Sequence, residues 1–169
     1  MRTRLLAYPI LCILISPSGI CTAQSLEDTI SFINETTVGK ARAVVPSKTA
    51  VPQEVQKVTI EGDDLKIFLV SRTTGLIRVD LLEVRDVGWG TTSGDGDMGT
   101  EKGEFGVWLY CKKGSKCASY RRPAGEEFFT TDWGANILFN KQSDSERTGR
   151  AFEYLLSIVT QRPQKPSPF

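Results

Sequence analysis

The chain has 169 residues, room for one domain and little more, and its 40% hydrophobic and 24% charged residues are those of a folded globular protein rather than a disordered or fibrous one. Lys and Arg number 21 against 20 Asp and Glu, so there is no global pull toward nucleic acid or anionic lipid. Histidine is absent, which excludes Ser-His and Cys-His nucleophile pairs, imidazole general-base catalysis and nearly every catalytic zinc site.

Arg2 and Arg4 precede an apolar stretch, Leu5–Ile15, which Ser16-Pro17-Ser18-Gly19 interrupts and Cys21-Thr22-Ala23 follows. A charged head, an apolar middle and a small-residue exit are the order of a secretory signal peptide. The apolar run is about half the roughly 20 residues that a membrane-spanning helix needs, and the bulky Ile20 suits a lipoprotein-type cut at Cys21 badly. Residues 1–23 are therefore expected to leave, and the mature protein to be secreted or periplasmic, with no transmembrane segment.

Ser25 with Asp28 three residues on forms a capping box, and Leu26, Ile30 and Ile33 give one apolar stripe of a helix that Gly39 ends. Pro46 and Pro52 mark an extended connector with a short strand at Ala41–Val45. The period then changes to two. Val55–Ile60 and Leu65–Arg72 read as strands around the turn Glu61-Gly62-Asp63-Asp64, and Leu76–Val84 alternates Ile77, Val79 and Leu81 against Leu76, Arg78 and Asp80. Gly88–Gly103 reads as a long glycine-rich loop, Pro123–Gly134 as irregular, and Ala135–Asn140 as a last strand. Ser143 and Glu146 form a second capping box, opening a helix to about Thr160 with Ala151, Phe152, Leu155, Ile158 and Val159 on one face. Pro163, Pro166 and Pro168 place residues 162–169 in a disordered tail.

Four cysteines are encoded; Cys12 and Cys21 leave with the leader, and Cys111 and Cys117 remain. An even pair in an exported protein points to a disulfide. Val107–Tyr110 and Ala118–Arg121 read as the two strands of a hairpin around Lys112–Lys116, and facing positions in an antiparallel pair are close enough to be bridged. Two cysteines without histidine or a second pair make a poor metal site.

A run of strands with a helix at each end implies an α+β domain over residues 24–161. Its expected form is a strongly curved antiparallel sheet or partly open barrel of six to seven strands, with an N-terminal helix and a C-terminal amphipathic helix capping the open end. In this layout Ser25–Ile30, Ile77–Leu81 and Ser145–Phe152 resemble the pleckstrin-homology-like (PH-like) barrels of uncharacterised bacterial secreted proteins. The resemblance implies a seven-stranded barrel closed by a helix, in a module without known activity. It does not carry over lipid-headgroup recognition, because Lys57, Lys66 and Arg72 are scattered among Glu54, Glu61, Asp63 and Asp64.

Chemistry-bearing patterns are few. Asp95 and Asp97 with Glu101 offer oxygens to Ca²⁺, but Thr100 and Gly106 stand where an EF-hand loop requires Gly and Glu. The same stretch lacks the Gly-Lys-Ser/Thr of a phosphate loop. Asp63/Asp64 and Glu126/Glu127 are adjacent pairs, which a strand points to opposite faces. Trp108 and Tyr110 alternate on one strand near Arg121 and Arg122, a candidate binding surface. The reading is an exported non-catalytic binding or adaptor module without a cofactor, taking a protein or small ligand. The alternatives are a hydrolase whose carboxylates meet only in the fold and a carrier of small hydrophobic ligands.

Overall fold

A computed structural model describes residues 25–45, 52–71, 75–94, 101–112, 115–122, 127–131 (backbone only) and 133–161. The leader, the Pro-rich tail, Asp95 and Asp97 lie outside the described residues.

The capping box forms as the sequence implies. Ser25 Oγ accepts from the Asp28 N–H, and the Asp28 carboxylate accepts from the Ser25 N–H, starting α1 (Leu26–Thr37). The Ser25 hydroxyl, which donates to the Asp28 carboxylate at 2.8 Å, and then the Ser25 N–H hold the Asp28 carboxyl below its ordinary pKa. Gly39 follows the helix at φ +66°, a left-handed conformation that glycine adopts without strain.

Among the described residues nine strands follow in one antiparallel sheet: β1 (Arg42–Val44), β2 (Gln53–Glu61), β3 (Asp64–Ser71), β4 (Gly75–Leu81), β5 (Val87–Ser93), β6 (Phe105–Cys111), β7 (Ala118–Arg121), β8 (Glu127–Thr131) and β9 (Trp133–Phe139). Their order is β5-β6-β9-β1-β2-β3-β4-β7-β8, so the sheet is not closed. The β2–β3 turn has Gly62 at φ +64° as its left-handed residue. The expected strand Leu76–Val84 stops at Leu81, and a 3-10 turn at Val84–Asp86 leads into β5.

The expected six to seven strands become nine because β5 and β8 fall where the sequence implies a loop and an irregular stretch. The glycines of β5 explain the first. A Cβ on Gly88 would stand 2.7 Å from the Tyr110 ring, so this strand position is glycine because its neighbour's ring covers it.

One face of the sheet carries the core, including Val55, Leu65, Ile67, Leu69, Val79, Leu81, Leu109 and Ile137, all without exposure. Tyr120 reaches across the interior from β7, and its hydroxyl donates to the carbonyl oxygens of Trp133 and Gly134 on β9. Since β7 and β9 lie far apart in strand order, this bond records how strongly the sheet bends upon itself. Burial pushes the Tyr120 hydroxyl pKa far above its ordinary value of 10.0.

Cys111 and Cys117 form a disulfide with Cα atoms 5.6 Å apart. The hairpin expected to carry it is absent. β6 pairs with β5 and β9, whereas β7 pairs with β4 and β8, so the bridge joins two distant members of the strand order.

The closing helix, α2 (Gln142–Gln161), begins one residue before the expected cap, so Ser143 lies inside its first turn and caps nothing; Ser145 Oγ donates instead to the Gly106 carbonyl at 3.1 Å. Phe152 and Leu155 are fully buried, and burying each stabilises the fold by about 1.5–3 kcal/mol. Leu156 takes the inward place expected for Ile158. The first half of the inward face is small or polar, Ser145, Thr148 and Gly149, which lets α2 approach the sheet and α1 closely. Thr148 donates to Thr36 of α1, and Arg147 stacks 5.3 Å above the Phe32 ring.

Asn34 docks α1 on the sheet. Its amide nitrogen donates to the Val58 carbonyl and its amide oxygen accepts from the Val58 N–H, both at 2.8 Å. Of β2, β1 covers only the start, so beyond the irregularity between Val55 and Lys57 the β2 edge meets a side-chain amide that substitutes for a strand.

Candidate functional site

β5 is a terminal strand of the sheet, paired with β6 alone. α2 runs antiparallel to it, packed against β5 and also against β6 and β9: Gln142, Ser145 and Glu146 stand beside Thr91–Ser93, and Glu153, Leu156 and Ser157 beside Val87–Trp89. Two depressions lie between helix and strand, of about 260 Å³ at the first end and about 340 Å³ at the second. Between them Trp89 rests on the helix. A Cβ on Gly149 would come within 2.8 Å of the Trp89 ring, so the glycine sets the helix–strand spacing.

The second depression is open and is bordered by residues from both faces of the sheet. Trp89 and Leu156 reach it from the inner face, and Tyr110 crosses Gly88 from the outer face. Lys112 and Glu153 place opposite charges on its walls, and the Lys112 ammonium also donates to the Arg85 carbonyl. Such a cleft has a backbone edge to pair with, aromatic surface for side chains and a charge of each sign.

The expected surface of Trp108, Tyr110, Arg121 and Arg122 is divided by the topology. Trp108 and Tyr110 do form a tilted pair with ring centroids 4.5 Å apart, on the outer face of β6. Arg121 lies on β7, separated from β6 in the sheet by β9, β1, β2, β3 and β4; it pairs with Asp80 of β4. Arg122 is exposed just after β7. Trp89 and the α2 residues escaped sequence reasoning, because the glycines around Trp89 read as loop. The signal that could have found them is the match between the small residues Ser145, Thr148 and Gly149 and one large ring.

Of the calcium candidates, Glu101 is exposed, and its backbone N–H donates to Glu104, whose carboxylate also pairs with Arg42. Among the described residues no three Cys, Asp or Glu side chains gather as metal ligands. Asp64 accepts from the Glu83 N–H, and Lys66 holds the Glu61 carboxyl below its ordinary pKa by a hydrogen bond and its charge. No helix among the described residues is long and apolar enough to cross a membrane.

The fold and the cleft define a class, an α+β domain whose open antiparallel sheet carries a helix-flanked edge strand. No protein-family model matches the chain, nor does any curated protein or solved structure.

Proposed function

We propose that the chain is an exported, non-catalytic binding module that takes an extended segment of a partner protein along β5, in the cleft against α2. The observation that carries this reading is the terminal strand β5 with α2 packed antiparallel to it and a depression between them at either end. An incoming strand gains main-chain hydrogen bonds from such an edge, and alternate side chains enter the depressions.

The bent antiparallel sheet and the closing helix support kinship with PH-like modules as part of the proposal, although nine strands exceed the seven of that pattern. Export rests on the charged, apolar and small-residue order of residues 1–23. The peptide reading is favoured over a hydrophobic carrier because Tyr120, Phe152 and Leu155 occupy the interior that a lipid-like ligand would need.

The test is selection of binders from a library of random linear nonapeptides against the oxidised exported protein, followed by binding to a Ser157→Trp variant. Ser157 lines the larger depression and is half-buried, so an indole there fills the cleft without entering the core. Selected peptides should lose at least about tenfold in affinity. Failure to select any peptide, or binders indifferent to the indole, would refute the reading.

A further inference from the structure

The opposite end of the sheet carries an arrangement that the peptide cleft does not use. On β4, Asp80 points to the outer face, away from Val79 and Leu81, and its side chain is only 4% exposed. A carboxylate so buried is costly unless charges meet it. Two do: Arg78 Nε lies 2.8 Å from one oxygen and Arg121 Nε 2.9 Å from the other. Arg78 and Arg121 are direct cross-strand partners between β4 and β7, a placement that is unfavourable for like charges without an anion between them.

The carboxylate does not satisfy the pair. The distances are those of ion pairs, but the angles fall outside hydrogen-bond geometry, and Arg78 Nε, Arg121 Nε and Asp80 Oδ1 are all buried without a directed partner. Ser119, opposite Asp80 on β7, adds a buried hydroxyl without one. Three of these four atoms are donors, and among the described side chains two cations face one anion. Each arginine side chain is about a third exposed, 36% and 34%, while its Nε is covered, so the exposed surface falls on the stem and the terminal nitrogens. The neighbouring Lys66, opposite Asp80 on β3, is engaged by Glu61 and does not neutralise the site further.

We propose that Arg78 and Arg121, held from beneath by Asp80, form a binding site for a phosphate group, a second site distinct from the β5 cleft. Among the described side chains the charge balance leaves one positive charge. The terminal N–H groups of two forks on adjacent strands, about 5 Å apart at their roots, suit the several oxygens of a phosphate better than the two of a carboxylate.

The experiment follows the Arg78 and Arg121 side-chain Nε–H resonances of the oxidised exported protein while inorganic phosphate is added, with chloride at matched ionic strength as the control. Saturable shifts of both resonances with phosphate alone are expected. Arg78→Gln and Arg121→Gln should each weaken binding at least about tenfold, and Asp80→Asn, which removes the competing anion, should tighten it. Should Asp80→Asn fail to fold, the two arginine variants decide the matter. Equal shifts with chloride, or affinities unchanged in both arginine variants, would overturn the proposal and leave the cluster a structural ion pair. Glycerol phosphate and vesicles containing phosphatidic acid, run in parallel, separate a free phosphate ester from a lipid headgroup as the source.

Discussion

Gly106→Ala sets two effects against each other. Gly106 lies on β6 between Thr92 of β5 and Leu138 of β9, and Thr92 Oγ1 donates to Asn136 Oδ1 at 3.2 Å across it. A methyl group there would fall well inside van der Waals contact with both oxygens, and Asn136 is fully buried and cannot swing into solvent. Replacing a strand glycine should stabilise by about 0.5–1 kcal/mol through the unfolded chain. Against this stand loss of the Thr92–Asn136 bond, about 0.5–1.5 kcal/mol, and overpacking of about 1–3 kcal/mol. Packing wins, and the expected net loss is about 2 kcal/mol, read as a lower urea midpoint with an unchanged slope. Thr92→Ala alone should cost about 1 kcal/mol, and in the double variant should relieve part of the Gly106→Ala loss, so that the two changes sum to less than their parts. Neutrality of Gly106→Ala, or strict additivity with Thr92→Ala, would refute the argument that glycine is needed for this bridge.

Other expectations are simpler to check. The Tyr120 hydroxyl has its folded pKa raised above the unfolded value of 10.0, so the stability it contributes is fully present below pH 10 and falls as pH rises beyond it. The loss should approach about 1.4 kcal/mol per pH unit, and Tyr120→Phe should remove that slope in alkaline urea melts. Opening the disulfide, by reductant or by Cys111→Ser with Cys117→Ser, should cost about 2–2.5 kcal/mol for a sequence separation of 6, measured as a shift in urea midpoint. Asn34→Ala strips both partners from Val58 and should cost about 2–3 kcal/mol, with faster hydrogen exchange at the Val58 amide. Asn34→Asp keeps the oxygen that accepts from Val58 N–H and should lose less.

Local chemistry made much of the fold legible. The Ser25–Asp28 box, the Gly62 turn, the alternation of Ile77, Val79 and Leu81, and the burial of Phe152 and Leu155 each follow from residues close in sequence. The misses are long-range. Gly88 reads as loop until Tyr110 is known to lie over it. Cys111 and Cys117 read as a hairpin because spacing cannot show that their strands pair with other neighbours. Of the candidate site, Tyr110 lines the cleft and Trp108 pairs with it, while Arg121 joined Asp80 and Arg78, residues near one another only through strand order. Nothing in the Ser143–Glu146 spacing reveals that the helix starts at Gln142.

Hydrogen exchange at β5, in the oxidised protein with and without a selected nonapeptide, bears most directly on the binding role assigned to that edge. The β5 amides that face away from β6 should exchange freely in the unliganded protein and become protected when the peptide binds, as a new strand accepts their hydrogen bonds. Unchanged exchange along Val87–Ser93 under saturating peptide would contradict the account, because a ligand that leaves this edge open is not held by it.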